Sequence, residues 1–406
     1  MIAPKSAHGA APARARAFSV SIVHSDARSA AEEAAEELLE GLGGPPDLVF
    51  CFFSAELDAA QVLAGLRGRL PGPPEVVGCS SFAEVGQDEA LTRSVTALGL
   101  RLPGLRWQTF AHPASELSSA ELGRRIAEEI RPLRPEVVFL FPDVLRQNAT
   151  QILHGLQSVL GTELPILGGA PADSGTFTQT FQVCNDQVLS GGVCGVALRG
   201  GVRIATAARS GYHPVGAPRT ATRVESGNIL LELDGQPALR VYRDFLGARA
   251  SEMPSVSVEF PLGVLDDSRA TEAYSPLVRA IFRVDEERQA LILGGDLMQQ
   301  GAHGSRIRIL RATREDVIKG AVAATQEAAA KELRPDVALV FNCMSRKVVL
   351  GPRYKEECAA AYRLLPSELP RAGFYTYGEL SPHGGASAHH ESTFTLALLE
   401  LRGETA

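Results

Sequence analysis

The chain has 406 residues, 45% hydrophobic and 21% charged, a composition that excludes an intrinsically disordered protein and a length that fits two or three domains. Lys and Arg number 40 against 47 Asp and Glu, and the resulting formal charge of −7 argues against binding a phosphate backbone. Aromatics are 6%, with Trp107 the single tryptophan, which also argues against a base-stacking surface.

Residues 1–17, "MIAPKSAHGAAPARARA", are rich in Ala and Pro and lack an apolar h-region, so they read as a disordered tail rather than a signal peptide. No run approaches the ~20 apolar residues that a membrane helix needs, so no membrane span is expected. The six cysteines (Cys51, Cys79, Cys184, Cys194, Cys343, Cys358) form no C-x-x-C pair. Neither a zinc-ribbon nor a disulfide framework is signalled, and reduced thiols in the cytoplasm are expected.

Three passages then repeat a pattern: Pro45 to Gly86, Arg134 to Gly175 and Arg334 to Gly384. Each opens with Pro-Asp or Pro-Glu and a short apolar run, as expected of a strand buried on both faces. A helical stretch follows, with Val62, Leu63, Leu66 and Leu70 at helical spacing in the first copy. A proline-marked turn leads to a second strand ending in Gly78, Gly168 or Gly373. An Ala/Glu-rich helix precedes each passage and a further strand follows it. The predicted fold class is α/β, with repeated α-β-α-β-β units forming layered sheets flanked by helices. Between the second and third copies, roughly 202–312, the pattern changes to alternating residues that predict an inserted antiparallel β-rich segment. A domain boundary is placed near 228–236, giving parts 18–230 and 231–406.

In α/β units, ligands usually sit beyond the C-terminal ends of the strands. There the second strands exit into "GCSSFAEVG", "GGAPADSG" and "GFYTYGELSPHGG". Glycine permits sharp turns and close backbone approach, although it also serves as plain turn punctuation. Each loop carries an acid: Glu84, Asp173 or Glu379. Packed around a pseudo-axis, the loops would converge on one pocket or line related ones. The late histidines His383, His389 and His390 lie in a turn-rich stretch without metal-ligand spacing. Cys79 sits in "GCSSF", which departs from a G-x-S-x-G elbow and suits a packing role. Cys343 lies three residues before Arg346, and a guanidinium there would favour a thiolate.

The blocks "VVGCSSFAEVG", "LPILGGAPADSGTF", "ELDGQPALRVY", "FNCMSRKVVLG" and "GFYTYGELSP" together resemble the FIST domain family (F-box and intracellular signal transduction) from about residue 18 to 402. The matching positions are Gly78, Cys79 and Ser80; Gly168, Gly169 and Asp173; Asp234, Gly235, Pro237 and Tyr242; Cys343, Arg346 and Gly351; and Gly373, Tyr375, Tyr377, Gly378 and Glu379. The resemblance implies a non-catalytic cytoplasmic sensor of a small ligand, with an amino acid as the proposed guest. Its output would pass through a separate signalling partner such as a histidine kinase. Arg346 would clamp a carboxylate, Glu379 or Asp173 would receive an ammonium, and Tyr375 and Tyr377 would wall the pocket. No cofactor or metal is expected. The alternatives are a haem-based gas or redox sensor using His390 or His383, and a thiol-dependent enzyme using Cys343 or Cys79. The family usually has Cys-x-Gly-Arg where this chain has Cys343-Met344-Ser345-Arg346. It usually has His-Asn-Gln-Thr where this chain has His390-Glu391-Ser392-Thr393, a departure that weighs most against haem.

Overall fold

The computed structural model describes residues 15–72, 74–265, 276–297 and 304–403. Residues 1–14 of the predicted tail lie outside them, and the first strand begins at Arg16, inside the span read as tail.

The three predicted repeats each build one sheet. In the first, the strands Arg16–Val23, Ser94–Arg101, Leu48–Ser54 and Glu75–Ser81 lie side by side in that order. The second unit repeats the order with Arg106–His112, Val193–Arg199, Val137–Pro142 and Ile166–Gly169. The third does so with Val202–Arg209, Phe394–Leu401, Val337–Cys343 and Arg371–Thr376. The last two strands of each set run parallel, for example Cys51 opposite Gly78. Parallel pairing needs a crossover, and the helices Ala59–Arg69 and Ala149–Leu160 supply it in the first two units. In the third, the crossover is Met344–Leu350 followed by Tyr354–Tyr362. Side chains of Asp58 and Asn148 cap the first two of these helices.

Two features of this order are not visible in the sequence. Each unit opens with an extra antiparallel strand, and each sheet is completed by a hairpin from another unit. The first unit's Glu84–Val85 and Ala90–Leu91 join the third sheet. The second unit's Gln182–Cys184 and Gln187–Leu189 join the first. The third unit's Glu379–His383 and Ala386–His390 join the second. The exchange therefore closes into a ring.

The inner faces of the three sheets share one core. Phe52 stacks on Phe374 at 4.7 Å, Phe52 meets Phe141 at 5.8 Å, and Phe141 meets Phe374 at 6.0 Å. The outer faces are covered by helices, each with its own apolar cluster. Because both faces are buried, the first strands read as continuous apolar runs.

The strand Val202–Arg209 pairs with Phe394–Leu401, so the inserted segment starts later than the sequence reading placed it. The inserted sheet runs from His213 to Arg311 and is antiparallel throughout its described pairings. Strands on both sides of residue 230 belong to it.

Candidate functional site

The acids of the post-strand loops are engaged within the scaffold. Glu84 is fully buried and accepts from the Ser81 hydroxyl, from the Ser94 hydroxyl at 2.6 Å and from the Ser94 N–H at 3.2 Å. Glu379 repeats this in the third unit, accepting from the hydroxyls of Thr376 and Thr393 at 2.6 Å and from the Thr393 N–H at 3.0 Å. Burial pushes both carboxyls up to about 7 against the opposing pull of those hydroxyls. Asp173 gathers its own loop instead, accepting from the backbone N–H groups of Gly175, Thr176, Phe177, Thr178 and Gln179 and from the Tyr377 hydroxyl. Burial would raise its pKa, but the Tyr377 hydroxyl and these N–H groups outweigh it and hold the carboxylate well below its usual range.

Arg346 is not presented to a ligand. It is fully buried and its Nε donates to Glu357 at 2.9 Å. Its Nη1 reaches the carbonyls of Ser210 at 2.5 Å and Ser392 at 3.0 Å, and its Nη2 reaches the Val317 carbonyl at 2.7 Å and Glu357 at 2.5 Å. These bonds match the five N–H donors of a guanidinium, so none remains for a guest carboxylate. Tyr375 lies inside the third unit's outer core, with its hydroxyl 3.5 Å from Glu357.

The loop glycines approach backbone rather than ligand. A Cβ on Gly78, Gly168 or Gly373 would stand 1.7, 2.1 or 1.9 Å from the carbonyl oxygen of Cys51, Leu140 or Val340 on the neighbouring parallel strand. Gly169 instead packs against the Thr376 side chain, whose methyl would stand 2.5 Å from a Cβ there. The Ser80 hydroxyl donates to the Ala172 carbonyl and accepts from the Phe181 N–H, joining the first two units. Cys79 is a core residue. Burial pushes the Cys79 and Cys343 thiols well up, and Glu379 adds to the effect at Cys343. The Arg346 guanidinium, engaged by Glu357 and carbonyls, does not offset that burial.

The histidines do not fit a haem. An axial ligand needs a ring nitrogen open to a flat apolar slot. His390 is 3% exposed, its Nε2 lies 3.2 Å from the Ser381 carbonyl, and the His383 ring packs edge-on at 5.3 Å. Among the described residues, no group of His, Cys, Asp and Glu is arranged to hold a metal ion.

The seam between the inserted sheet and the second and third units is open, with a cleft of about 550 Å³. The inserted sheet contributes Ile281, Phe282, Arg283, Ile292, Leu293 and Gly294; the second unit contributes Val144, Leu145 and Phe177. Cys343, Met344, Ser345, Tyr377 and Glu391 come from the third unit. Of the residues expected at the site, the structure brings Cys343 and Tyr377 to this cleft. Asp173 stands behind it, bonded to Tyr377.

The Tyr377 ring stacks on Phe177 at 4.3 Å and 20°, and Phe177 meets Phe282 edge-on at 4.9 Å. Phe177 and Phe282 remain 37% and 39% exposed, an unusual amount of open ring surface. Phe177 also has a φ of +55°, a backbone region that bulky side chains rarely adopt. The five N–H bonds to Asp173 hold the loop in this form.

Glu391 lines the same cleft at 4% exposure. Its Oε2 accepts from the Ala280 N–H at 2.9 Å, while Oε1 has no hydrogen-bond donor among the described residues. Burial raises the carboxyl to about 7 against the pull of Arg279. Gly294 makes room for it: a Cβ there would stand 1.8 Å from Oε1. Sequence reading noted Glu391 only as a departure, and it missed Phe177, Phe282 and Gly294. The Gly294-Gly295-Asp296 run was the available signal. Gly295 packs against His389 and Arg279, and Asp296 accepts from Asn148 at 2.9 Å and Gln151 at 3.0 Å.

The FIST N domain matches residues 47–236 and the FIST C domain matches residues 238–382. The chain therefore belongs to the FIST family, whose domains are associated with signal transduction and small-ligand sensing. An uncharacterized protein of Mycobacterium tuberculosis (strain ATCC 25618 / H37Rv) is 28% identical over 390 residues, covering 92% of this chain and 96% of its own. An uncharacterized protein of Mycobacterium bovis is 28% identical over 391 residues, with the same coverage. Among solved structures, a chorismatase aligns over 95% of this chain and 99% of its own at 9% identity, with a TM-score of 0.30. A cyanuric acid hydrolase aligns over 96% and 100% at 10% identity, with a TM-score of 0.31. Both scores are too low to establish a shared fold. Among the described residues, no helix is long and apolar enough to cross a membrane.

Proposed function

We propose that the protein is a non-catalytic cytoplasmic sensor of a small amphipathic ligand, an amino acid in the first instance, bound at the seam beside the inserted sheet. The observation that carries this reading is the cleft of about 550 Å³, within the size range of small-molecule sites and mostly apolar with a few polar groups. An ammonium group has Glu391 as its partner, a carboxylate has Arg283 at the rim, and the ligand's body has Ile281, Ile292 and the aromatic rings. Three separate chain segments meet there, so an occupant would tighten the docking of the inserted sheet on the ring. A separate signalling protein, a histidine kinase among the candidates, would read that change.

A screen of the common amino acids by thermal shift and calorimetry tests the reading. At least one raises the melting temperature and releases or absorbs heat with one site per chain. If none does at millimolar concentration, the amino-acid reading fails.

A further inference from the structure

We infer that the group recognised in this cleft is the ligand's ammonium alone, so that primary amines with an apolar or aromatic body bind whether or not they carry a carboxylate. This rests on the sensor reading of the same cleft and narrows its ligand class.

The asymmetry between the two lining charges carries the argument. Glu391 and Arg283 are the charged side chains that line the cleft. Glu391 is 4% exposed, and its Oε1 lacks a donor in a place that Gly294 leaves open for it. This oxygen faces the cleft without a donor from the described residues, and an ammonium bound there gains a charge-assisted bond partly screened from water. Arg283 is exposed, so a carboxylate meeting it gains little through solvent. The nearby buried Arg279 commits its Nε to the Asp296 carbonyl at 2.5 Å and its Nη1 to the Val278 and His389 carbonyls at 2.8 and 3.0 Å. The exposed rings of Phe177 and Phe282, beside Tyr377, complete the recognition, since aromatic faces attract both cations and aromatic bodies.

The charge on Glu391 makes amine binding pH-dependent. The groups around it are Arg279 on the strand Leu277–Arg279, Asp296 beyond the strand Ala290–Leu293, and His389 and His390 on the strand Ala386–His390 that precedes it. Burial keeps both histidines neutral, lowering His389 to about 3 and His390 well below its usual value. Glu391, at about 7, is then the group that titrates between pH 6 and 8. A carboxyl at that value ionises about tenfold more at pH 8 than at pH 6, while an alkylammonium stays charged throughout.

Three probes with one aromatic body separate the possibilities: 2-phenylethylamine, phenylalanine and 3-phenylpropionate, titrated calorimetrically into the full chain. The amine binds within about threefold of phenylalanine, and the carboxylate does not bind. Amine affinity rises about tenfold from pH 6 to 8. Glu391→Gln weakens it by about tenfold at pH 8 and removes the pH slope. Phe282→Ala, at an exposed ring, weakens it about fivefold with the melting temperature unchanged. If phenylalanine or another amino acid binds and the amine does not, the ammonium inference fails while the sensor reading stands. If 3-phenylpropionate binds as well as the amine, or none of the three binds, the inference is likewise overturned. If the full amino-acid screen is also silent, the sensor reading falls with it.

Discussion

Glu379 and Glu391 stand twelve residues apart, are both buried, and are raised alike to about 7, yet they serve opposite ends. Glu379 belongs to the ring of repeats and accepts three hydrogen bonds from Thr376 and Thr393. Glu391 sits at the seam with the inserted sheet and accepts one, from Ala280. The same contrast holds more widely. In the ring, the repeated acids and Arg346 are saturated and the axis is filled by Phe52, Phe141 and Phe374. At the seam, two phenylalanines are exposed and a carboxylate oxygen is open. Repetition builds the scaffold here, and the segment that breaks the repetition builds the site.

The contrast is broken most forcefully at Arg346. Arg346→Leu leaves Glu357 buried without its cation and several carbonyls without a donor. Urea denaturation is expected to show a loss of about 3–5 kcal/mol. A loss too small to measure would mean that Arg346 is free for ligand after all.

A smaller effect comes from pH. Glu84 and Glu379 have folded values of about 7 against reference values of 4.5, so the folded state holds their protons more tightly. Their stabilisation is fully present below about pH 4.5 and is lost as pH rises through about 7. The wild-type chain is therefore less stable at pH 8 than at pH 5, by roughly 1–3 kcal/mol per carboxyl. Glu379→Gln, which mimics the protonated form, removes the share of that dependence due to Glu379 and leaves that of Glu84 and Glu391. An unchanged slope would show that Glu379 is ionised and open.

The smallest expected effect is at Tyr377. Tyr377→Phe removes one donor from Asp173 but leaves its five backbone N–H groups in place. Stability falls by about 0.5–1.5 kcal/mol, and amide exchange rises at residues 175–179 around the strained Phe177. Global unfolding instead would place Tyr377 in the scaffold rather than at the seam.

Much of the scaffold was legible because it rests on local patterns. Apolar runs such as Leu48–Ser54 and Val337–Cys343, alternating with amphipathic helices, give the repeated α/β units and their order. The exchanged hairpins were not legible, since strands as short as Glu84–Val85 and Ala90–Leu91 carry no periodicity. The loop glycines misdirected the search for a site. Gly78, Gly168 and Gly373 do mark close approaches, but to the carbonyl of an adjacent strand. The cleft itself depends on Phe177, Phe282, Gly294 and Glu391, which are distant in sequence and meet only once the inserted sheet docks on the ring. Only Gly294-Gly295-Asp296, tight turn residues ahead of an acid, marked that contact in advance.

The most direct test is a structure of the chain with its best-binding amine or amino acid. The account predicts ligand density between Phe282 and Glu391, with the ligand nitrogen within hydrogen-bond reach of Glu391 Oε1. Density among the repeated loops, against Glu379 and a rotated Arg346, would contradict it.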